Sequence, residues 1–380
     1  MKVALVYDWL NVKVGGGETT FVEITKLYPD ADIFALVYNS NKFKHFFKNR
    51  TIYTSRLQKL PGFIKNRPYL MLPFIKKAVS KLNFDGYDMV ISVSSAWVKN
   101  IDVDKSTVHI CYCYSPARMI WDSWPKYLDT QKIGPFKLGP VSKFVITRMV
   151  SKIRLWDFYN TSNVDGFIAI SKYISARISK FYHRESELVY PPVVMGDKSL
   201  INSGPKEYFL ILSSLSRYKN IDVAIDACIE TNSRLIVVGD GPDLERLEKI
   251  ANKKNQNNNN IEFAGSVHDD KKWEYYAGAK ALIFPSIEDF GIAPVEAMSV
   301  GTPIIALRGG GLSETVTEGI SGVFYKNSAD LASRLKTFDV SKFSPTNIRS
   351  SVEKYDIDNF KKDFVEKIDY LSDKGKYENN

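Results

Sequence analysis

At 380 residues the chain is longer than one hydrophobic core usually organises, so two domains of a little under two hundred residues each are expected. Apolar residues make up 44% and charged residues 25%, which fits a folded globular protein and excludes a disordered or fibrous one. A formal charge of +9 favours phosphate-bearing partners, and no run approaches the eighteen apolar residues of a spanning helix.

The opening MKVALVYDWL is too short for a signal-peptide core, which predicts a cytoplasmic protein. Val3 to Tyr7 reads as a buried strand, and GGGE at Gly15 to Glu18 opens a helix after it. Gly16 and Gly17 would let the backbone approach a phosphate or sugar closely, although Thr20 breaks the G-x-G-x-x-G spacing of dinucleotide sites. Residues 56–82 hold seven cations among Leu, Phe, Ile and Met with no acid, a pattern that suits either an anionic membrane surface or an amphipathic packing face.

Further buried parallel strands are predicted at Met89 to Val93, Thr107 to Cys113, Gly166 to Ile170, Tyr208 to Leu212, Arg234 to Val238, Ile261 to Ala264, Ala281 to Phe284 and Pro303 to Ala306. Helical stretches separate many of them, which is the pattern of doubly wound α/β domains binding ligands at the carboxyl ends of their strands. Cys111, Cys113 and Cys228 read as buried thiols and His109 as structural; no metal site is expected. Nucleic acid is disfavoured because no recognition motif accompanies the charge. The polar stretch Val193 to Glu207 reads as an interdomain linker, Asn252 to Asn260 as a surface loop, and Ile357 to Leu371 as an amphipathic helix with a frayed end from Tyr377.

Two segments carry chemistry. In SSLSRYKN, Arg217 and Lys219 follow a strand and suit a diphosphate, as a bidentate fork and a point charge. In SIEDFGIAPVEAMSVGTPIIALRGGGLSETV, Glu288 and Glu296 stand eight residues apart around the Phe290–Gly291 turn, and a helix predicted to start near Pro294 offers its amino end to an anion. The free N–H groups of the segment Gly291, Ile292 and Ala293 would cradle the diphosphate, Glu296 would accept from ribose hydroxyls, and Glu288 would reach the transferred sugar. Gly239 and Gly241 in VVGDGPDLERL read as a turn lining the same nucleotide site, or only as a loop.

These spaced motifs resemble family 4 of the retaining glycosyltransferases, with Glu288 to Glu296 as the E-x7-E element, Arg217 and Lys219 as the clamp, Gly15 to Gly17 as the glycine loop, and residues 156–193 as the lead into the hinge. The resemblance implies a GT-B fold, two facing Rossmann-like doubly wound domains with a cleft between them. It implies an acceptor domain at 1–195, a nucleotide-sugar domain at 205–355, and a helix at about 357–380 returning to the first. The members it is most similar to move mannose or another hexose onto lipid-linked or polysaccharide acceptors, commonly in lipopolysaccharide O-antigen assembly at the inner face of the cell membrane. GDP-mannose is then the expected donor substrate, with no cofactor and no metal. Asp8 with Gly16 and Gly17 would line the facing wall. Tyr114 stands where family relatives often carry His against the transferred sugar, which puts sugar specificity in question. Two other readings stay open: a sugar-nucleotide epimerase, and a sugar-nucleotide-binding subunit without catalysis.

Overall fold

The computed structural model describes residues 1–11, 15–48, 50–65, 68–122, 132–133, 136–137, 139–201, 204–254 and 260–378. Contacts divide the chain into two units, Met1–Tyr190 with Phe360–Asn380, and Pro191–Asn359.

In the first unit, strands β1 (Val3–Leu10), β2 (Asp32–Tyr38), β3 (Ile52–Thr54), β4 (Met89–Ser94) and β5 (Val108–Cys113) precede a two-residue hairpin, β6 (Lys132–Ile133) and β7 (Phe136–Lys137). They are followed by β8 (Gly166–Ala169) and β9 (Glu187–Leu188). The sheet order is β3-β2-β1-β4-β5-β8-β9 and every pair in it is parallel. Strands 4 and 5 are buried along their whole length, as their largely apolar runs MVISVS and VHICYC suit in a sheet covered on both faces, with the polar Ser92 and His109 paired to each other. Helix Pro68–Val79 lays Met71, Leu72, Ile75, Ala78 and Val79 on one such face. The last helix, Ile357–Glu378, supplies Phe360, Phe364, Ile368 and Leu371 to the first unit, and the two phenylalanines stand edge-on to Tyr112 of β5.

The second unit holds β10 (Tyr208–Leu212), β11 (Leu235–Val238), β12 (Ile261–Gly265), β13 (Ala279–Phe284), β14 (Ile304–Leu307) and β15 (Gly322–Tyr325), in the parallel order β12-β11-β10-β13-β14-β15. Renumbered from its own start this is 3-2-1-4-5-6, the Rossmann order, in which the direction of winding reverses between β10 and β13. Both units are therefore parallel-sheet Rossmann-like domains.

Several expectations shift. Strands 2, 3, 6, 7, 9 and 15 join those read from sequence; all but β2 have only two to four residues, whereas β2 (DIFALVY) is largely apolar like its neighbours. The division between units falls at Tyr190/Pro191 rather than inside 193–207, because the Val193 N–H already donates to the Tyr355 carbonyl of the second unit and Gly196 N–H to the Ser299 hydroxyl. Asn252 lies in helix Leu244–Lys254, not in a loop; residues 255–259 lie outside the described residues, and Asn260 is fixed by donating to the Cys228 and Ser233 carbonyls. The final helix runs on through Tyr377 to Glu378. Among the described residues no helix is long and apolar enough to cross a membrane.

Candidate active site

The turn Arg217–Lys219 follows β10, and Asn220 closes it in the left-handed conformation, with φ 52° and ψ 37°, before helix Ile221–Glu230 begins. Asparagine is among the few residues that take this conformation at low cost. The Asn220 amide donates to the Pro285 carbonyl, and Lys219 Nζ lies 2.8 Å from Glu288 Oε1. The Ser286 hydroxyl also points to that oxygen at 3.3 Å. Loops from two strands that flank the reversal point are thus tied together. The Arg217 side chain is exposed, and no hydrogen bond engages its guanidinium among the described residues.

Gly291 caps helix Ile292–Ser299 with φ 96°, and a Cβ there would stand 2.6 Å from Leu312 Cδ1. Only glycine fits both constraints. The helix starts two residues earlier than Pro294, so Glu296 sits in the second turn rather than the first. Being first and second in the helix, the Ile292 and Ala293 N–H groups fall outside its ladder and are left for an external acceptor, while Pro294 has none to offer. Phe290 is buried and meets Tyr355 edge-on, so it anchors the turn.

Glu296 is largely enclosed. Lys272 Nζ donates to its Oε1 at 2.7 Å, and the Tyr276 hydroxyl to its Oε2 at 3.0 Å. Burial and the neighbouring carboxylate hold the Tyr276 phenol protonated, well above its ordinary range, which fixes it as the donor. Neither partner is visible in the spacing of Glu288 and Glu296; both come from helix Asp269–Gly278. The sequence reading also passed over Gly310 and Gly311. The Gly311 N–H donates to the Glu288 carbonyl at 2.8 Å, and side chains at either glycine would overlap the backbone of the Glu288 loop.

Gly239 and Gly241 act on the neighbouring loop. A Cβ on the first would stand 1.9 Å from the Ser213 carbonyl oxygen, and on the second 2.3 Å from that of Leu215, so their bareness lets the β11 turn press against the loop that carries Arg217.

The first unit holds a separate cluster. Gly16 and Gly17 begin helix Gly16–Leu27, and the Tyr114 hydroxyl donates to the Gly17 carbonyl at 2.9 Å. Burial raises the Tyr114 phenol, so it stays a donor at neutral pH. Glu18 accepts from the Gly15 N–H at 2.9 Å and from the Tyr7 hydroxyl at 3.3 Å; burial raises its pKa, and those hydrogen bonds oppose the shift. Asp8 does not line a wall. Its fully buried carboxylate accepts from the backbone N–H groups of Ser95, Ala96, Trp97 and Val98 at 2.7–2.9 Å, which organises the turn after β4. His109 is buried between the Ser92 hydroxyl and the Asn163 carbonyl, and burial lowers its pKa to about 4. The three cysteines are free and buried. Of residues 56–82, Leu57, Met71, Leu72, Ile75, Val79 and Leu82 enter the core, while Phe63 and Phe74 stay exposed; Asn66 and Arg67 lie outside the described residues.

Two parallel-sheet Rossmann-like units, the second with a cationic turn, a glycine-capped helix and two held glutamates, invite comparison with known proteins, and the comparison finds glycosyltransferases. Residues 197–339 match the family model described as "Glycosyl transferases group 1". The chain is 29% identical over 197 residues to the uncharacterized glycosyltransferase MJ1178 of Methanocaldococcus jannaschii, covering 51% of this chain and 55% of that one. It is 25% identical over 195 residues to the mouse (Mus musculus) alpha-1,3/1,6-mannosyltransferase ALG2, covering 43% and 47%. The chain therefore spans about half the length of the curated relatives it matches. The crystal structure of Anabaena HepE (Alr3699) in complex with UDP superposes with a TM-score of 0.68 at 17% identity, over 97% of this chain and 100% of that one, which is a likeness of fold.

Proposed function

We propose that this protein is a retaining, metal-independent glycosyltransferase that moves a hexose from a nucleoside diphosphate sugar to an acceptor hydroxyl. The observation that carries this reading is the 2.8 Å contact of Lys219 with Glu288, which ties together the loops after the neighbouring strands β10 and β13; Arg217 and the first N–H groups of helix Ile292–Ser299 lie on the same two loops. A diphosphate at that point would meet two cations and a helix amino end.

In the proposed reaction the acceptor oxygen bonds to the anomeric carbon on the face that the leaving diphosphate departs, and the acceptor proton passes to a diphosphate oxygen. Arg217, Lys219 and the Gly291–Ala293 backbone stabilise the charge that grows on the leaving group. Glu288 orients the sugar, and Glu296, steadied by Lys272 and Tyr276, accepts from the ribose hydroxyls with its remaining lone pairs. Gly239 and Gly241 shape the loop bearing Arg217. In the first unit, Gly16, Gly17 and Tyr114 are proposed as ligand-contacting groups.

Mannose from GDP-mannose is the donor we infer, in keeping with the named activity of ALG2, and the acceptor is a lipid-linked or polysaccharide glycan of the cell surface. HepE in complex with UDP supplies the competing base. Thermal unfolding with GDP, UDP, dTDP and ADP separates them: a diphosphate at a hundred times its dissociation constant adds about 2.7 kcal/mol. A response to GDP alone supports the mannosyl donor, a response to UDP alone replaces it, and silence across the panel overturns the transferase reading in favour of a scaffold. Donor consumption without an acceptor would identify an epimerase instead.

A further inference from the structure

Two carboxylates near the turn Arg217–Lys219 share one cation. Asp222 stands in the first turn of helix Ile221–Glu230, which Asn220 joins to that turn, and Asp243 directly precedes helix Leu244–Lys254. The backbone holds Asp243 against the loop that carries Arg217: its N–H donates to the Leu215 carbonyl at 3.0 Å, and the Leu215 N–H donates to the Asp240 carbonyl at 3.0 Å. Arg246, on helix Leu244–Lys254, reaches both acids. Its Nε and Nη2 donate as a fork to Asp243 Oδ1 and Oδ2 at 2.7 and 2.6 Å, and its Nη1 donates to Asp222 Oδ2 at 2.9 Å. Hydrogen bonds from Arg246 hold the Asp243 carboxyl below its usual range, and the charge of Arg217 reaches the same carboxyl and adds to the shift.

The two cations of the turn are differently placed. Lys219 is committed to Glu288, whereas the exposed Arg217 has no such partner among the described residues. The Asp243 side chain is only 9% exposed. A carboxylate so enclosed is costly to leave without its donor, and with Arg246 neutral the cation whose charge already reaches it is Arg217. With Arg217 read as a diphosphate ligand, as the proposed function requires, we propose that Arg246 is a positioning residue for it: by occupying Asp243 and Asp222, Arg246 keeps the Arg217 guanidinium from pairing with them and leaves it for the donor diphosphate. Arginine suits the task, because its planar fork meets one carboxylate with two N–H groups and still offers a third N–H to another acid. Lysine would bring the charge without the fork.

Titration calorimetry of the full chain with GDP and with UDP tests this role. Arg246→Gln should bind the responding diphosphate about tenfold more weakly. Adding Asp243→Asn to Arg246→Gln restores the parent's net charge and removes the acid that draws Arg217 away, so binding should return to within about threefold of the parent. In an Arg217→Gln chain, adding Arg246→Gln should change the affinity by less than about threefold, because both act through one contact. Should Arg246→Gln not fold, Arg246→Lys keeps the charge and should bind within about threefold of the parent; a loss of about tenfold there counts against the role. A brace that only joins the helices would show no recovery with Asp243→Asn and the same loss with or without Arg217. Either result, or parent-like binding by Arg246→Gln, would overturn the proposal while leaving the transferase reading in place. A parent chain that binds neither diphosphate would overturn the transferase reading, and the role of Arg246 with it.

Discussion

Lys219 and Glu288 face each other at 2.8 Å with both side chains largely buried, so each holds the other in place. A diphosphate and a sugar would each claim one member of the pair. Charge-assisted hydrogen bonds contribute about 1.5 to 3 kcal/mol each, so Lys219→Ala should lower turnover roughly ten- to a hundredfold, measured as initial rates with saturating donor. An unchanged rate would remove Lys219 from the clamp. His109 makes a different prediction. Its pKa is depressed from 6.5 to about 4 by burial, so the unfolded chain binds its proton first as pH falls. The stabilisation is complete above pH 6.5 and is lost between there and pH 4, a change on the order of 3 kcal/mol. Urea midpoints at pH 7 and 4.5 should show a smaller acid loss for His109→Gln than for the parent chain.

At the scale of elements, the candidate site depends on loops pressed together by glycines. Gly239 has φ 139° and no room for a Cβ beside Ser213, whereas Gly86 has φ 74° with nothing within 4 Å of its would-be Cβ. Gly239→Ala should therefore cost about 2 to 5 kcal/mol and abolish the nucleotide response, while Gly86→Ala should cost about 1 to 2 kcal/mol; denaturant titration compares them. The same elements mark what the sequence discloses. Buried parallel strands announce themselves as apolar runs, and Arg217, Lys219, Glu288 and Gly291 stand in the loops that follow two such runs, which is why most strands were legible and those residues were singled out as candidates. Lys272 and Tyr276 were not, because nothing local ties a helix on one crossover to Glu296 on the next. Asp8 misled for a related reason: a carboxylate in the last part of a strand has the same spelling whether it meets ligand or, as here, four backbone N–H groups.

The whole molecule comprises two units with separate cores, one built around β1, β4 and neighbouring helices and the other around β10, β11 and β13. The final helix contributes to the first, where Phe364 is fully buried beside Tyr112 and Leu371 covers Gly166 so closely that a Cβ there would stand 2.8 Å away. Phe364→Ala should destabilise the first unit by about 3 to 5 kcal/mol. In calorimetry its transition should move down while the nucleotide-responsive transition of the second unit stays in place; a joint shift of both would contradict the assignment of that helix.

That same helix gives the chain an order of assembly. Translation delivers the first unit's strands, then all of Pro191–Asn359, and only afterwards the residues from Phe360 that complete the earlier sheet. Every residue of the second unit is made before Phe360, whereas the first keeps the face around Tyr112 uncovered until that helix has been made. For this protein the domain that begins first is the one that finishes folding last.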